Sequence, residues 1–325
     1  MQGAARQALG LVAVSALLYF TALGGAELWD EDEPLFAGTA REMLARREWI
    51  VPYFNGHILP DKPVLSYWVM MLGYKLFGPT EFAARAGSAL FSIGTVLLTW
   101  LLGRRLFSAR AGAWAGFALA TSISFDIVAR AATPDAVLTF FCTLAMVCFV
   151  ESLGSCGQDA VARKPRGLRY DGGLRTLALT GTYAAMGMAA LAKGPIGLLL
   201  PAATIGFFLL CAALPAGNLP AESQAGWRAA TKAAWLGFVR RGHPRHFCAV
   251  LHSIRPLMGL AVVLAIAGPW YLAVGLNTDG AWLTGFLGKH NLGRFLNPME
   301  HHRGPFFYYL ISVMIGFFPW SLLLG

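Results

Sequence analysis

Residues 28–34 read Leu28-Trp29-Asp30-Glu31-Asp32-Glu33-Pro34, and they follow closely on an apolar segment running from Leu9 to Leu23. That segment is of roughly membrane-spanning length. Carboxylates are costly to place in lipid, so the acidic run marks an aqueous face at the end of a span, and ionisable residues in such a place are functional candidates. The loop they open, 26–81, also carries Asp61-Lys62-Pro63. Later apolar segments end in Asp135, in Lys193 and in a stretch rich in His and Arg. The pattern points to a membrane enzyme whose chemistry sits on one side of the bilayer.

Composition agrees. Of 325 residues, 56% are hydrophobic and only 13% are charged. Soluble domains carry about 25% charged residues, so the chain reads as polytopic. The first apolar segment, with Arg6 before it, resembles a signal peptide. No clean small-residue cleavage site precedes the acidic run and more spans follow, so it reads as a retained helix. The net charge of +9 suggests nucleic acid at first sight. Its distribution argues against that, because the basic residues cluster in particular loops between spans. The five cysteines show no CxxC spacing and none falls in an outward loop, so neither a structural disulfide nor a cysteine metal site is expected.

The fold class expected is all-α: a polytopic transmembrane helical bundle, with interfacial helices in the first outer loop. Eight spans are read at 9–25, 83–103, 111–129, 136–152, 176–192, 195–214, 257–276 and 306–325. The apolar stretch 64–77 is short and interrupted by Lys75, and reads as an interfacial or half-buried helix. With the N-terminus in the cytoplasm, the inner side collects Arg6, Arg104, Arg105, Arg110 and the Arg-rich loops 154–175 and 215–255. Those segments hold most of the 26 basic residues and leave the outer side slightly acidic, as the positive-inside rule requires. The inner loops are read as orientation signals that touch anionic lipid. The whole of 1–325 is read as one membrane module. Because it stops inside an apolar run, the expectation is the front part of a longer protein.

The unusual groups then share the outer side. Pro34 and its acidic neighbours suit the first turn of a helix over about 34–46, but one cap needs one carboxylate and four are supplied. A spare carboxylate can act as general base on a sugar or lipid hydroxyl. Lys62 either snorkels to head groups or stands as a point charge on a phosphate. Arg130 and Asp135 flank one turn, and the plainest reading pairs them; Asp135 is also well placed to join the acids of the first loop. Lys193-Gly194-Pro195 breaks an apolar stretch, where a cation usually faces water or a cavity. The last outer loop holds His290, Asn291 and Arg294, then His301, His302 and Arg303 before Phe306-Phe307-Tyr308-Tyr309. Adjacent histidines are not the i,i+4 pair of a strong helix metal site. His290 remains a possible ligand with a distant carboxylate, and a divalent metal ion is left open. The aromatic run reads as an interfacial belt.

Taken together, these segments resemble the GT-C glycosyltransferases related to protein O-mannosyltransferases, and in particular the branch that includes lipid A aminoarabinose transferases. The matching stretches are Asp32-Glu33 with Ala40-Arg41-Glu42-Met43, Trp49-Ile50-Val51-Pro52 with Phe54-Asn55-Gly56, Lys62-Pro63, and Glu81-Phe82-Ala83-Ala84-Arg85. Asp135, Lys193-Gly194-Pro195, His290-Asn291 with Arg294-Phe295, and His301 with Gly304-Pro305 and Tyr308-Tyr309 complete them, in order along nearly the whole chain. The resemblance implies a polyprenyl-phosphate sugar donor and a lipid, glycan or protein acceptor, among membrane lipids on the outer face of the bacterial inner membrane, with no nucleic acid. It implies Asp32 as the main catalytic residue, Asp135 as the second acid and Lys62 on the donor phosphate. The family often has an Arg/Tyr pair after its Asp-Glu, where this chain has Leu35-Phe36, and a Glu before Lys-Pro, where it has Asp61. Those departures leave the acceptor and the sugar open.

The mechanism expected follows from charge. Breaking the sugar–phosphate bond leaves negative charge growing on the lipid phosphate, which Lys62 with Lys193, Arg294 or Arg303 would stabilise. Asp32 would deprotonate an acceptor hydroxyl, with Asp135 or Glu33 assisting, and attack from the opposite face would invert the anomeric centre. Asp30, Asp61, His290, Asn291, His301 and Tyr308 are the expected substrate contacts. The rivals are a flippase for lipid-linked sugars and a non-catalytic assembly subunit. A transporter usually sets its ionisable groups near the midplane on broken helices, whereas here most sit at one face.

Overall fold

The structure is a computed structural model that describes residues 2–29, 31–153, 172–212, 254–293 and 308–323. Helix α1 (Gln2–Phe20) leads into the acidic run, and α2 (Asp32–Arg46) begins within it. A two-stranded hairpin, β1 (Tyr53–Phe54) and β2 (His57–Ile58), precedes α3 (Leu65–Phe77) and the long α4 (Glu81–Leu106). Then come α5 (Ala109–Ala120), α6 (Ile123–Arg130), α7 (Asp135–Ser152), α8 (Gly172–Lys193) and α9 (Ile196–Ala212). α10 (Pro256–Asn277), the short α11 (Ala281–Thr284), a π-helical segment (Gly285–Gly293) and α12 (Tyr308–Gly316) complete the described chain. The loops read as cytoplasmic connectors lie almost wholly outside the described residues.

Among the described residues four helices are long and apolar enough to cross a membrane: α1, α4, α7 and α10. The stretch 111–129, expected as one span, is instead two helices, α5 and α6, bent by 63° at Thr121-Ser122. The hydroxyls there turn back on their own backbone, Thr121 Oγ1 donating to the Phe117 carbonyl and Ser122 Oγ to that of Leu119. Such bonds compete with the helical ladder and mark where it ends. If the bent pair counts as one span, there are five. α9 is apolar but shorter. The stretch 306–325 departs from a single span as well: α12 ends at Gly316 and a turn leads to a 3-10 segment, Trp320–Leu323. There Trp320 Nε1 donates to Thr121 Oγ1 (2.8 Å), fastening that turn to the α5–α6 break.

Local chemistry sets the other boundaries. Thr80 Oγ1 accepts the Ala83 amide (3.2 Å) and starts α4; Ser108 Oγ does the same for α5 with Ala111. Between α4 and α5 two glycines meet: a Cβ on Gly103 would stand 2.8 Å from Gly112 Cα, so only hydrogens let the backbones approach this closely. α2 ends with Arg47 in the left-handed region (φ 57°) and Glu48 N–H on the Met43 carbonyl, the hydrogen-bond pattern of a Schellman stop.

The largest core cluster joins α2, α3, the start of α7, the end of α8, and α10 with α11. Three indoles pin the 49–59 loop to it. Trp68, Trp270 and Trp282 donate to the carbonyls of Trp49, Ile50 and Leu59, at 2.8, 3.0 and 2.9 Å. Carbonyls without a sheet or helix partner thereby find donors. Trp282 is fully buried and stacks on Phe286, ring centroids 4.7 Å apart. The segment leading to Asp61 and Lys62 is therefore held rigidly against the bundle.

Candidate active site

The chemistry-bearing side chains sit at the ends of elements that pack around this core. Asp32, the first residue of α2, is exposed. Its neighbour Glu33 is buried, and both its oxygens are occupied. Oε1 accepts Arg85 Nε (2.9 Å) and the Ala132 amide (2.6 Å); Oε2 accepts Arg85 Nη2 (2.7 Å) and the Trp29 amide (2.7 Å). Burial alone would raise the Glu33 carboxyl, but the Arg85 guanidinium and the two backbone N–H donors outweigh it and hold it below its usual value of 4.5. Arg85 uses its remaining donors on the carbonyls of Leu23, Ala26 and Glu27. One ion pair thus joins the end of the first span, the start of α2, α4 and the turn before Asp135. It leaves Glu33 no open lone pair for an acceptor, so its geometry is that of a positioning residue. At the start of α2 the N-cap position itself, Glu31, makes no side-chain capping bond.

Asp61 gathers a second group. Its Oδ1 accepts Lys62 Nζ at 2.7 Å, and His290 Nδ1 lies 3.0 Å from the same oxygen. Lys62 also stands over the Phe36 ring, 5.8 Å from its centroid. Phe36, which with Leu35 stands in place of the Arg/Tyr pair noted above, therefore forms an apolar floor under the lysine. His290 is brought there by the π-helical turn, which Asn291 braces by donating Nδ2 to the Phe286 carbonyl (2.7 Å). That bond occupies Asn291 in shaping the segment.

Asp135 begins α7 and pairs with Lys193, the last residue of α8. This corrects the pairing with Arg130, which instead donates to the Leu18 carbonyl (2.6 Å). Both partners are partly exposed, at 39% and 29% of their side chains. Gly194 follows in the left-handed region (φ +77°), with the Phe286 ring pressed against its Cα. A Cβ there would collide with that ring and strain the backbone as well. Gly194 thus links the Lys193 turn to the segment carrying His290. Gly194→Ala is expected to displace both and to cut activity by about 10²-fold, the scale of a 1 Å misplacement. Protein yield and helicity stay near wild type in that expectation; full activity would show that the two segments are independent.

Tyr308 is exposed, its ring edge-on to Tyr309 at 5.7 Å. Asp30, Arg294, His301 and Arg303 lie outside the described residues. Among the described residues no three His, Cys, Asp or Glu side chains gather as a metal-binding group. Cys142 and Cys148 are unpaired thiols.

These arrangements define a multi-pass membrane protein with paired carboxylates and lysines around one end of a helical bundle. The family model described as dolichyl-phosphate-mannose-protein mannosyltransferase matches residues 61–155. An undecaprenyl phosphate-alpha-4-amino-4-deoxy-L-arabinose arabinosyl transferase of Edwardsiella ictaluri is 32% identical over 97% of this chain and 48% of its own length. The crystal structure of ArnT from Cupriavidus metallidurans bound to undecaprenyl phosphate superposes with a TM-score of 0.70 at 24% identity, covering 97% of this chain and 49% of that one. The Saccharomyces cerevisiae Pmt1-Pmt2 complex bound to the sugar donor gives 0.54 at 18% identity, over 86% of this chain and 35% of that one. The fold is that of the GT-C membrane transferases. In sequence and fold the chain is a relative of the superfamily that includes protein O-mannosyltransferases and aminoarabinose transferases. It spans about half the length of the curated relatives it matches.

Proposed function

We propose that the chain is the membrane module of a glycosyltransferase that takes a sugar from a polyprenyl-phosphate donor and passes it to a lipid, glycan or protein acceptor at the outer face of the inner membrane. The observation that carries this reading is the presence of two lysines, each held by a carboxylate at the rim of one core: Lys62 on Asp61 and Lys193 on Asp135. A phosphate entering between them exchanges one anion for another, and the lysines stay neutralised throughout. As the sugar–phosphate bond breaks, the charge on the leaving phosphate meets cations already in place. Asp32, exposed one residue before the clamped Glu33, takes the proton of an acceptor hydroxyl. Asp135, once Lys193 turns to phosphate, assists it. Glu33 and Arg85 position both acids without touching substrate. The outer-face assignment rests on the clustering of basic residues in the opposite loops.

Lys62→Met and Lys193→Met in the intact protein are each expected to lower kcat/KM for a polyprenyl-phosphate sugar at least about tenfold, since each removes a charged phosphate partner. Radiolabelled donor in membranes reads this directly. Unchanged donor use in both variants would remove the lysines from the donor site.

A further inference from the structure

The long helix α4 carries an arginine near each end. Arg85 belongs to the clamp on Glu33, and Arg104 stands in the last turn. From position 85 to position 104 the helix rises about 28 Å, close to the thickness of a hydrocarbon core. Arg104 therefore lies at the membrane interface opposite the candidate active site, on the side that the basic loops mark as cytoplasmic. Three helices meet there. Arg104 is half-buried, its guanidinium 4.7 Å from the centre of the Trp100 ring. Trp100 Nε1 in turn donates to Gln7 Oε1 of α1 (3.3 Å). The Arg104 stem lies against Gly112 of α5, so closely that a Cβ on that glycine would stand 2.6 Å from Arg104 Cγ.

Stacking engages the flat face of a guanidinium and leaves the N–H donors at its edge free. Arg104 makes no hydrogen bond or ion pair among the described residues. Arg6, next to Gln7, and Arg110, two residues before Gly112, are exposed and are likewise in no ion pair among the described residues. Glu151, the acid that reaches this end, is already paired with Arg105 at 2.7 Å. Orientation in the membrane requires only the charge of such residues. It does not require a guanidinium folded onto an indole between three helices. Two residues further into the span from Gln7 and from Gly112, Leu9 and Trp114 expose large apolar side chains. A cation with open donors, above apolar surface at the depth of acyl chains, matches a phosphate headgroup with its tails. We propose that this junction of α1, α4 and α5 binds one anionic phospholipid of the adjacent leaflet, with Arg104 as the central phosphate contact and Arg6 and Arg110 beside it. The site stands apart from the glycosyltransferase reading and does not depend on it.

The test needs no sugar donor. The intact protein in detergent is titrated with phosphatidylglycerol and with phosphatidylcholine of the same tails, and native mass spectrometry reads the lipid retained. Wild type is expected to keep phosphatidylglycerol at concentrations where phosphatidylcholine is lost. Arg104→Gln should weaken that binding roughly tenfold, the scale of a hydrogen bond to a charged group. Arg47→Gln, which changes an exposed arginine at the end of α2, should leave it unchanged. The thermal midpoint without lipid shows whether Arg104→Gln still folds. If that midpoint drops, the exposed change Arg110→Gln carries the test, with an expected loss of about fivefold. Equal retention of the two lipids, unchanged affinity in both Arg104→Gln and Arg110→Gln, or an equal loss in Arg47→Gln would overturn the inference. So would full competition by soluble glycerol phosphate, which would make the junction a site for a free phosphate.

Discussion

Asp32→Asn is expected to reduce sugar transfer by about 10²–10⁴-fold, the range that a positioned general base contributes. The substitution is isosteric and the side chain is exposed, so the fold should not change. The carboxylates that hold the two lysines are Asp61 and Asp135, so donor binding should stay near wild type. Neighbouring groups sharpen the contrast. Glu33→Gln, one residue on, removes charge from a clamp in which both carboxylate oxygens are already occupied, and should act through stability and geometry. A profile in which Asp32→Asn lowers kcat while Glu33→Gln lowers folded yield separates base from brace. Unchanged transfer in Asp32→Asn would remove that residue from proton transfer. A phosphate acceptor, which carries no proton to lose, would give the same outcome.

The second large effect concerns the brace. Arg85→Leu should destabilise the protein by about 3–5 kcal/mol, because it leaves the Glu33 carboxylate buried without its cation. The carbonyls of Leu23, Ala26 and Glu27 lose their donors at the same time. Unfolding in detergent, followed by helicity, reads the loss. Replacing Glu33 by Leu in the same protein should recover part of it, since no uncompensated charge is then left behind. Acid makes the same point without mutation. The Glu33 carboxyl is held below 4.5, so its contribution is complete above that value. It is lost as the pH falls towards the depressed folded value. Stability that stays flat in both tests would mean that the four bonds to Glu33 contribute nothing net.

The sequence made the greasy bundle legible through composition, and the interfacial helix α3 through its short apolar run ending near Lys75. It also marked acids and lysines that the structure places in ion pairs, because charged residues beside spans stand out against a chain that is mostly apolar. Pairing was not legible. Glu33 and Arg85 are 52 positions apart, Asp135 and Lys193 are 58 apart, and His290 reaches Asp61 from a different part of the chain. No spacing rule in a single sequence records such contacts, so the nearer Arg130 seemed the partner of Asp135. The hairpin at Tyr53–Ile58 did have a local signal. Asn55-Gly56 takes positive φ at both positions (51° and 81°), the standard demand of a two-residue turn. The π-helical turn that carries His290 had none, because it depends on Phe286 packing against Trp282 and Gly194.

The central claim is covalent transfer from a lipid phosphate, and the direct measurement is the fate of a doubly labelled donor. Membranes carrying the intact protein would receive polyprenyl-phosphate sugars labelled differently in sugar and phosphate, across a panel of sugars. The account predicts that the sugar label moves to an acceptor while the phosphate label stays on the polyprenol, and that the two separate only when Lys62 and Asp32 are present. Both labels crossing the bilayer together, still joined, in wild type and variants alike would contradict it and assign the chain to lipid-linked sugar transport.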